Sequence, residues 1–218
     1  MSQGKLFMVN MHIDTSDIRR RLGALERKAN LVMAHAANGG VPVAVKFLKK
    51  EAAERYRLLQ RDVTKTVSIK KALRGHPYAV ITSRGEHIGL EKFTVTPFRP
   101  LRFTTRKNRS PHVYKAAVMK GQGLKPLNGN PKPFVAVLKN GHKGVFVRKD
   151  VSRHNKGEYR RGTGKEKYSN FIKSVQAPAI PQMLKNEDIL EIVNRETNEA
   201  MVKCVGKEID AILEKTGK

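Results

Sequence analysis

The sequence predicts an α+β fold, with N-terminal helices packed on an antiparallel β-sheet, a long basic loop and a C-terminal amphipathic helix. Three observations carry that expectation. Apolar residues recur at helical spacing in the opening segments, β-branched alternating runs bounded by Gly, Pro and Ser follow, and the chain closes on a second helical pattern. Helices first and strands after argue an antiparallel sheet rather than alternating βαβ units. The 218 residues suit a single domain. Its parts are a helical part over 14–75, a sheet part over 78–149, a basic loop and Pro-containing linker over 150–182, and a terminal helix over 183–214.

The first helical stretch runs from Asp14 to Ala37. Asp14, Thr15 or Ser16 can cap it, and Ile18, Leu22, Leu25, Ala29, Val32 or Met33, and Ala36 form its stripe. "NGG" at 38–40 predicts an interruption, and Pro42 fits the first turn of a second helix, where its missing amide would be unpaired anyway. Val45, Leu48, Ala52, Tyr56 and Leu59 continue the pattern, with Lys46, Lys50 and Arg61 opposite. One bent helix or two fit 14–62 equally. "VSIKKALRG" predicts a short third helix stopped by Gly75 and Pro77.

Strands follow in "YAVITS", "HIGLEKFTVTP" and "PHVYKAAVMK". The clearest is the pair in "FVAVLKNGHKGVFVRKD" (134–150), two period-2 arms around "KNGHKG", whose glycines can take the positive φ of a tight reversal. At the end, Pro178 and Pro181 impose an extended approach, and Pro181 or Asn186 can start the last helix. Its stripe is Ile189, Ile192 or Val193, Met201, Cys204 or Val205, and Ile212. Glu187 and Asp188 suit its positive N-terminal end.

Charge dominates the composition. Lys and Arg number 44 against 19 Asp and Glu, a formal net charge of +25. Such an excess attracts polyanions or acidic protein surfaces. It is unevenly spread: Arg99–Lys167 holds 19 basic and 3 acidic residues, whereas Met183–Glu214 holds 4 basic and 8 acidic. A basic middle and an acidic tail suit nucleic acid or a second copy of the chain. The basic candidates for partner or DNA contact are Lys139, His142, Lys143, Arg148, Lys149, Arg153, Lys156, Arg160 and Arg161. Tyr159 and Tyr168 lie among the last of these, where aromatic rings can stack on unpaired bases. The acidic candidates for a subunit interface are Glu191, Glu196 and Glu199.

Chemistry finds no foothold in these residues. "GEYRRGTGKEK" lacks the spacing of a phosphate-binding loop, since Thr163 follows Gly162 and Glu166 stands where Ser or Thr is required. His142, His154 and Asn155 suggest a metal-dependent nuclease only weakly, because few carboxylates lie nearby to hold a cation. Cys204 falls on the apolar stripe of the last helix, the place of a small buried hydrophobe rather than a nucleophile. A lone cysteine rules out an internal disulfide framework. The expectation is therefore a non-enzyme with no catalytic residues, no metal and no cofactor. No apolar run reaches the ~20 residues of a bilayer span, and "MSQGKLFMVNMHID" is too polar for a signal peptide. A soluble protein without a membrane partner follows.

The order of the pieces then resembles a known family. A helical start containing "LVMAHAANGGVPVAVKFLKKEAAERYRLLQRDVTKTVSIKKALRG" leads to strands, the hairpin, a basic loop and "FIKSVQAPAIPQML" before the last helix. This is similar to the prophage minor tail protein Z family, the tail completion proteins of tailed bacteriophages. Phe171–Leu184 is its most specific stretch, although "SVQAP" lacks a Gly before the first proline. The resemblance implies a structural virion protein without enzymatic activity. It also implies a hexameric ring at the head-proximal end of the tail, in the neck, which contacts other tail and neck proteins and enables head–tail joining. The host cytoplasm is the implied place of assembly, while the basic loops, read by their charge, suit contact with packaged DNA without sequence preference. The alternative from charge alone is a non-specific nucleic-acid-binding or packaging protein.

Overall fold

A computed structural model of the chain describes residues 5–11, 15–22, 28–100, 113–129, 132–148 and 172–215. It is α+β, with small antiparallel sheets and a long C-terminal helix. The chain divides into two compact units, one formed by residues 1–54, 58–86 and 179–218, the other by 55–57 and 87–178.

The first unit contains helices α1 (Thr15–Leu22), α2 (Ala29–Arg55, whose last residue belongs to the other unit), α3 (Gln60–Thr66), α4 (Ile180–Leu184) and α5 (Glu187–Lys215). Its sheet comprises β1 (Lys5–Met11), β3 (Ala79–Gly85) and β2 (Val67–Lys70), in the spatial order β1-β3-β2 and antiparallel throughout. β3 is central, and Ala79, Ile81 and Ser83 alternate inward from it as period 2 requires. Helix α4 packs on β1 and β3. Ile18, Leu22, Ala29, Val32, Met33 and Ala36 meet Val205 and Ile209 in one apolar cluster, with Cys204, Ile212 and Leu213 at its margin.

Three local expectations are corrected here. Helix α2 runs unbroken through Asn38, Gly39, Gly40 and Pro42. The missing Pro42 amide leaves the Asn38 carbonyl without its helical donor, but Pro42 is exposed, so water can take that acceptor. The glycines are needed for close packing. A Cβ on Gly39 would lie 2.6 Å from Cys204 Sγ, and one on Gly40 would lie 2.7 Å from Met201 Cγ. Being continuous, α2 is by length and composition alone apolar enough to cross a bilayer, and 50% of its most apolar window is buried inside the protein, as in a core helix. Second, Val67–Lys70 is strand rather than helix, and α3 lies just before it. Third, Lys5–Met11, which carried no assignment, pairs with the full length of β3 from Lys5↔Gly85 to Met11↔Ala79.

The link from β2 to β3 is tied to the middle of α2. The Asn38 side chain donates to the Ala72 carbonyl (3.0 Å) and accepts from the Ala72 amide (2.8 Å). Asn38→Ala removes both bonds but favours the helix slightly. The expected result is exchange of the Ala72 amide faster by about tenfold, with global stability lowered by no more than ~1.5 kcal/mol. Hydrogen exchange resolved at that amide checks it.

Among the described residues the second unit holds three small antiparallel sheets. They are β4 (Ile88–Gly89) with β11 (Gln176–Ala177); β5 (Thr94–Thr96), β6 (Lys115–Ala117) and β7 (Lys125–Pro126); and β8 (Phe134–Val137), β9 (Lys143–Arg148) and β10 (Ile172–Ser174). A 3-10 turn, Leu90–Lys92, separates β4 from β5. Val175 stitches sheets together, donating to Val145 (2.8 Å) and accepting from Leu90 (3.0 Å). Leu90, Phe93, Val95, Tyr114, Ala116, Val135, Val145 and Phe146 are buried in this unit.

Candidate interaction surfaces

The hairpin forms as its residues dictate. Phe134↔Phe146 through Val137↔Lys143 set the register. The Gly141 amide then donates to the Leu138 carbonyl (2.9 Å) with Gly141 at φ 80°, while Leu138 donates to His142 (2.8 Å). A turn closed by a glycine in the left-handed region is the standard three-residue reversal. The Asn140 side chain accepts from the His142 amide (3.0 Å) and stiffens the tip.

Lys139, His142 and Lys143 at this tip have different surroundings. Lys139 is exposed. His142 Nε2 lies 3.8 Å from Glu91 Oε1, and its ring stands edge-on to Phe146. Lys143 donates to the Phe98 carbonyl (2.6 Å), with its ammonium 4.0 Å from the centre of the Phe98 ring. That ammonium is engaged by a carbonyl and a π-face together. The Glu91 carboxylate covers Gly89, and its second oxygen is buried without a hydrogen-bond partner among the described residues. Arg148 ends β9 and pairs through its backbone with Ile172. Lys149, Arg153, Lys156, Arg160 and Arg161 lie outside the described residues, as do the Gly/Lys loop, His154 and Asn155. Among the described residues no group of three or more His, Cys, Asp or Glu is arranged to hold a metal ion.

Helix α5 presents the acidic candidates. Asn186 caps it, its side-chain oxygen accepting from the Asp188 amide (3.1 Å). Ile189, Val193, Thr197, Met201, Val205 and Ile209 face inward every fourth residue. Glu191 and Glu199 are exposed on the other side, and Glu196, partly covered, takes a bond from Arg195 (3.2 Å). Some of the helix's negative charge already meets His and Arg side chains. Glu208 lies 3.0 Å from His35, and Asp210 lies 4.0 Å from Arg21, within the same unit.

A further surface was hidden by the helical expectation for "VSIKKALRG". Leu73 and His76 exchange both backbone bonds at 2.9 Å around Arg74 and Gly75, so 67–85 is a long hairpin arm. It exposes Ile69 (46%), Leu73 (65%) and Tyr78 (47%) beside exposed Lys70, Lys71 and Arg74. Only the large exposed hydrophobics betray it, and a sequence cannot show exposure.

"FIKSVQAPAIPQML" earns its specificity through packing. After β10 and β11, Gln182 accepts from the Ala179 amide (3.0 Å), and Pro181 occupies the first turn of α4. Ile180, Pro181, Met183 and Leu184 are all buried. The motif is thus the anchor that delivers the chain into α5.

A model of one protein family, Prophage minor tail protein Z (GPZ), matches residues 16–216. That span is nearly the whole chain, and its class is the structural proteins of the bacteriophage tail, associated with the virion. The chain belongs to the prophage minor tail protein Z family. No curated protein and no solved structure matches it.

Proposed function

We propose that this tail protein is a completion factor that forms a ring, hexameric in our reading, at the head-proximal end of the tail and makes it competent to join the head. The family match over 16–216 carries the reading. The charge pattern supports it, because a ring closes through two different surfaces of one chain, and this chain has an acidic helix and abundant basic surface. Its neighbours are other tail and neck proteins, and its basic segments meet the end of the packaged DNA without sequence preference. It acts by docking rather than catalysis, in the neck of the virion after assembly in the host cytoplasm.

Light scattering on nuclease-treated protein, alone and with purified tail tubes at low and high salt, tests this. Ring-sized mass on tubes, persisting without nucleic acid, is the expected result. A protein that ignores tubes but takes up DNA, with affinity falling steeply as salt rises, would instead be the non-specific nucleic-acid-binding protein favoured by the +25 charge.

A further inference from the structure

The arm at 67–78 and the outer face of α5 lie on different sides of α2. Asn38 reaches the arm at Ala72, whereas Gly39 and Gly40 abut Cys204, Met201 and Thr197 of α5. Successive helical residues point about 100° apart, so α5 sits roughly 150° around α2 from the arm. The two surfaces also match in character. Lys70, Lys71 and Arg74 flank exposed Ile69 and Leu73 on the arm, which carries no acid. The α5 stripe carries exposed Glu191 and Glu199, with Val202, 69% exposed, one turn beyond Glu199. Over 187–199 that helix carries five acids against Arg195, which already contacts Glu196; Lys203 stands at the stripe's far edge.

We propose that the basic arm at 67–78 of one copy docks on the acidic outer face of α5 of the next copy. Leu73 and Ile69 lie over Val202, and Lys70, Lys71 and Arg74 face Glu191 and Glu199. The interface rests on the ring reading and gives it a head-to-tail joint. Two surfaces on nearly opposite sides of one unit are what repeated head-to-tail contact requires, since a two-fold dimer would use the same patch twice. Opposite charge sets register and excludes arm-to-arm and helix-to-helix pairing.

Two full-length variants test it, one with Lys70→Glu, Lys71→Glu and Arg74→Glu, the other with Glu191→Lys and Glu199→Lys. All five positions are exposed, and circular dichroism confirms folding. Each variant alone is expected to need at least ~10-fold more protein to assemble, by light scattering alone and on tail tubes. An equimolar mixture is expected to recover assembly to within ~3-fold of wild type, because every joint then pairs opposite charges. A second measurement avoids charge altogether. In a Cys204→Ser background, Lys71→Cys and Glu199→Cys variants are expected to cross-link with each other and not with themselves.

Normal assembly by either variant overturns the joint while leaving the ring reading intact. So does failure of the mixture to recover, or cross-linking confined to like variants. Wild-type protein that never self-associates, in solution or on tubes, overturns both. If the arm variant loses only salt-sensitive binding to duplex DNA and assembles normally, the arm is a phosphate contact and the proposal falls.

Discussion

Replacing Gly40 by valine is expected to destabilise the first unit by about 3 kcal/mol, the upper part of the range for forcing bulk into a packed core. Its Cβ would lie 2.7 Å from Met201 Cγ and 3.2 Å from Thr197 Cγ2. Met201 Cγ is a mid-chain atom of a buried residue, so it cannot simply swing out to solvent. Valine adds two methyl groups beyond that contact and is held to few rotamers in a helix. Because glycine costs about 1 kcal/mol against alanine inside a helix, close approach of α2 to α5 is the gain that offsets it. The measurement is the urea midpoint of the Gly40→Val variant at unchanged slope. Combining it with Met201→Ala should cost less than the two changes summed, by ~1 kcal/mol or more. Strict additivity would mean that the helices separate elsewhere.

Ile209→Ala is expected to cost about 3–4 kcal/mol. Ile209 has no exposed surface and sits in the cluster that joins α1 and the start of α2 to α5. Three carbons are lost there, and neighbours anchored on three helices collapse poorly into the gap. Val202→Ala on the exposed side of the same helix is the control, with an expected change within about 0.5 kcal/mol. Equal effects at the two positions would mean that the inward face of α5 has been wrongly assigned. Chemical denaturation of both variants, followed in parallel, decides it.

The hairpin at 134–148 was legible because pattern and turn chemistry agree there. Period-2 alternation meets a glycine at the one place where φ must be positive. The stripe of α5 was legible for a similar reason, since its buried residues recur every fourth position. Local signals misled where tertiary contact outweighs them. "NGG" and Pro42 break an isolated helix, but Cys204, Met201 and the Asn38–Ala72 clamp hold this one together. "VSIKKALRG" fits either period, and pairing with β3 settles it as strand. The acidic candidates Glu191, Glu196 and Glu199 were legible as charges, but the pairing of another acid of that helix was not. Glu208 meets His35 only because α5 crosses α2. Likewise nothing local tells that Lys143 bonds Phe98, a contact between residues far apart in the chain.

The stitched middle of α2 has a consequence in time. Its weakest turn carries two glycines and a proline, and the residues that hold it, Ala72 on one side and Cys204 and Met201 on the other, come later in the chain. On the ribosome, where synthesis proceeds at about 5–20 residues per second, α2 is made well before α5 can supply its share of those contacts. Until then the turn at 38–42 lacks the contacts that offset its glycines and proline. Both surfaces of the proposed joint also come after α2 in the chain, so a copy still lacking α5 offers a neighbour only one of them.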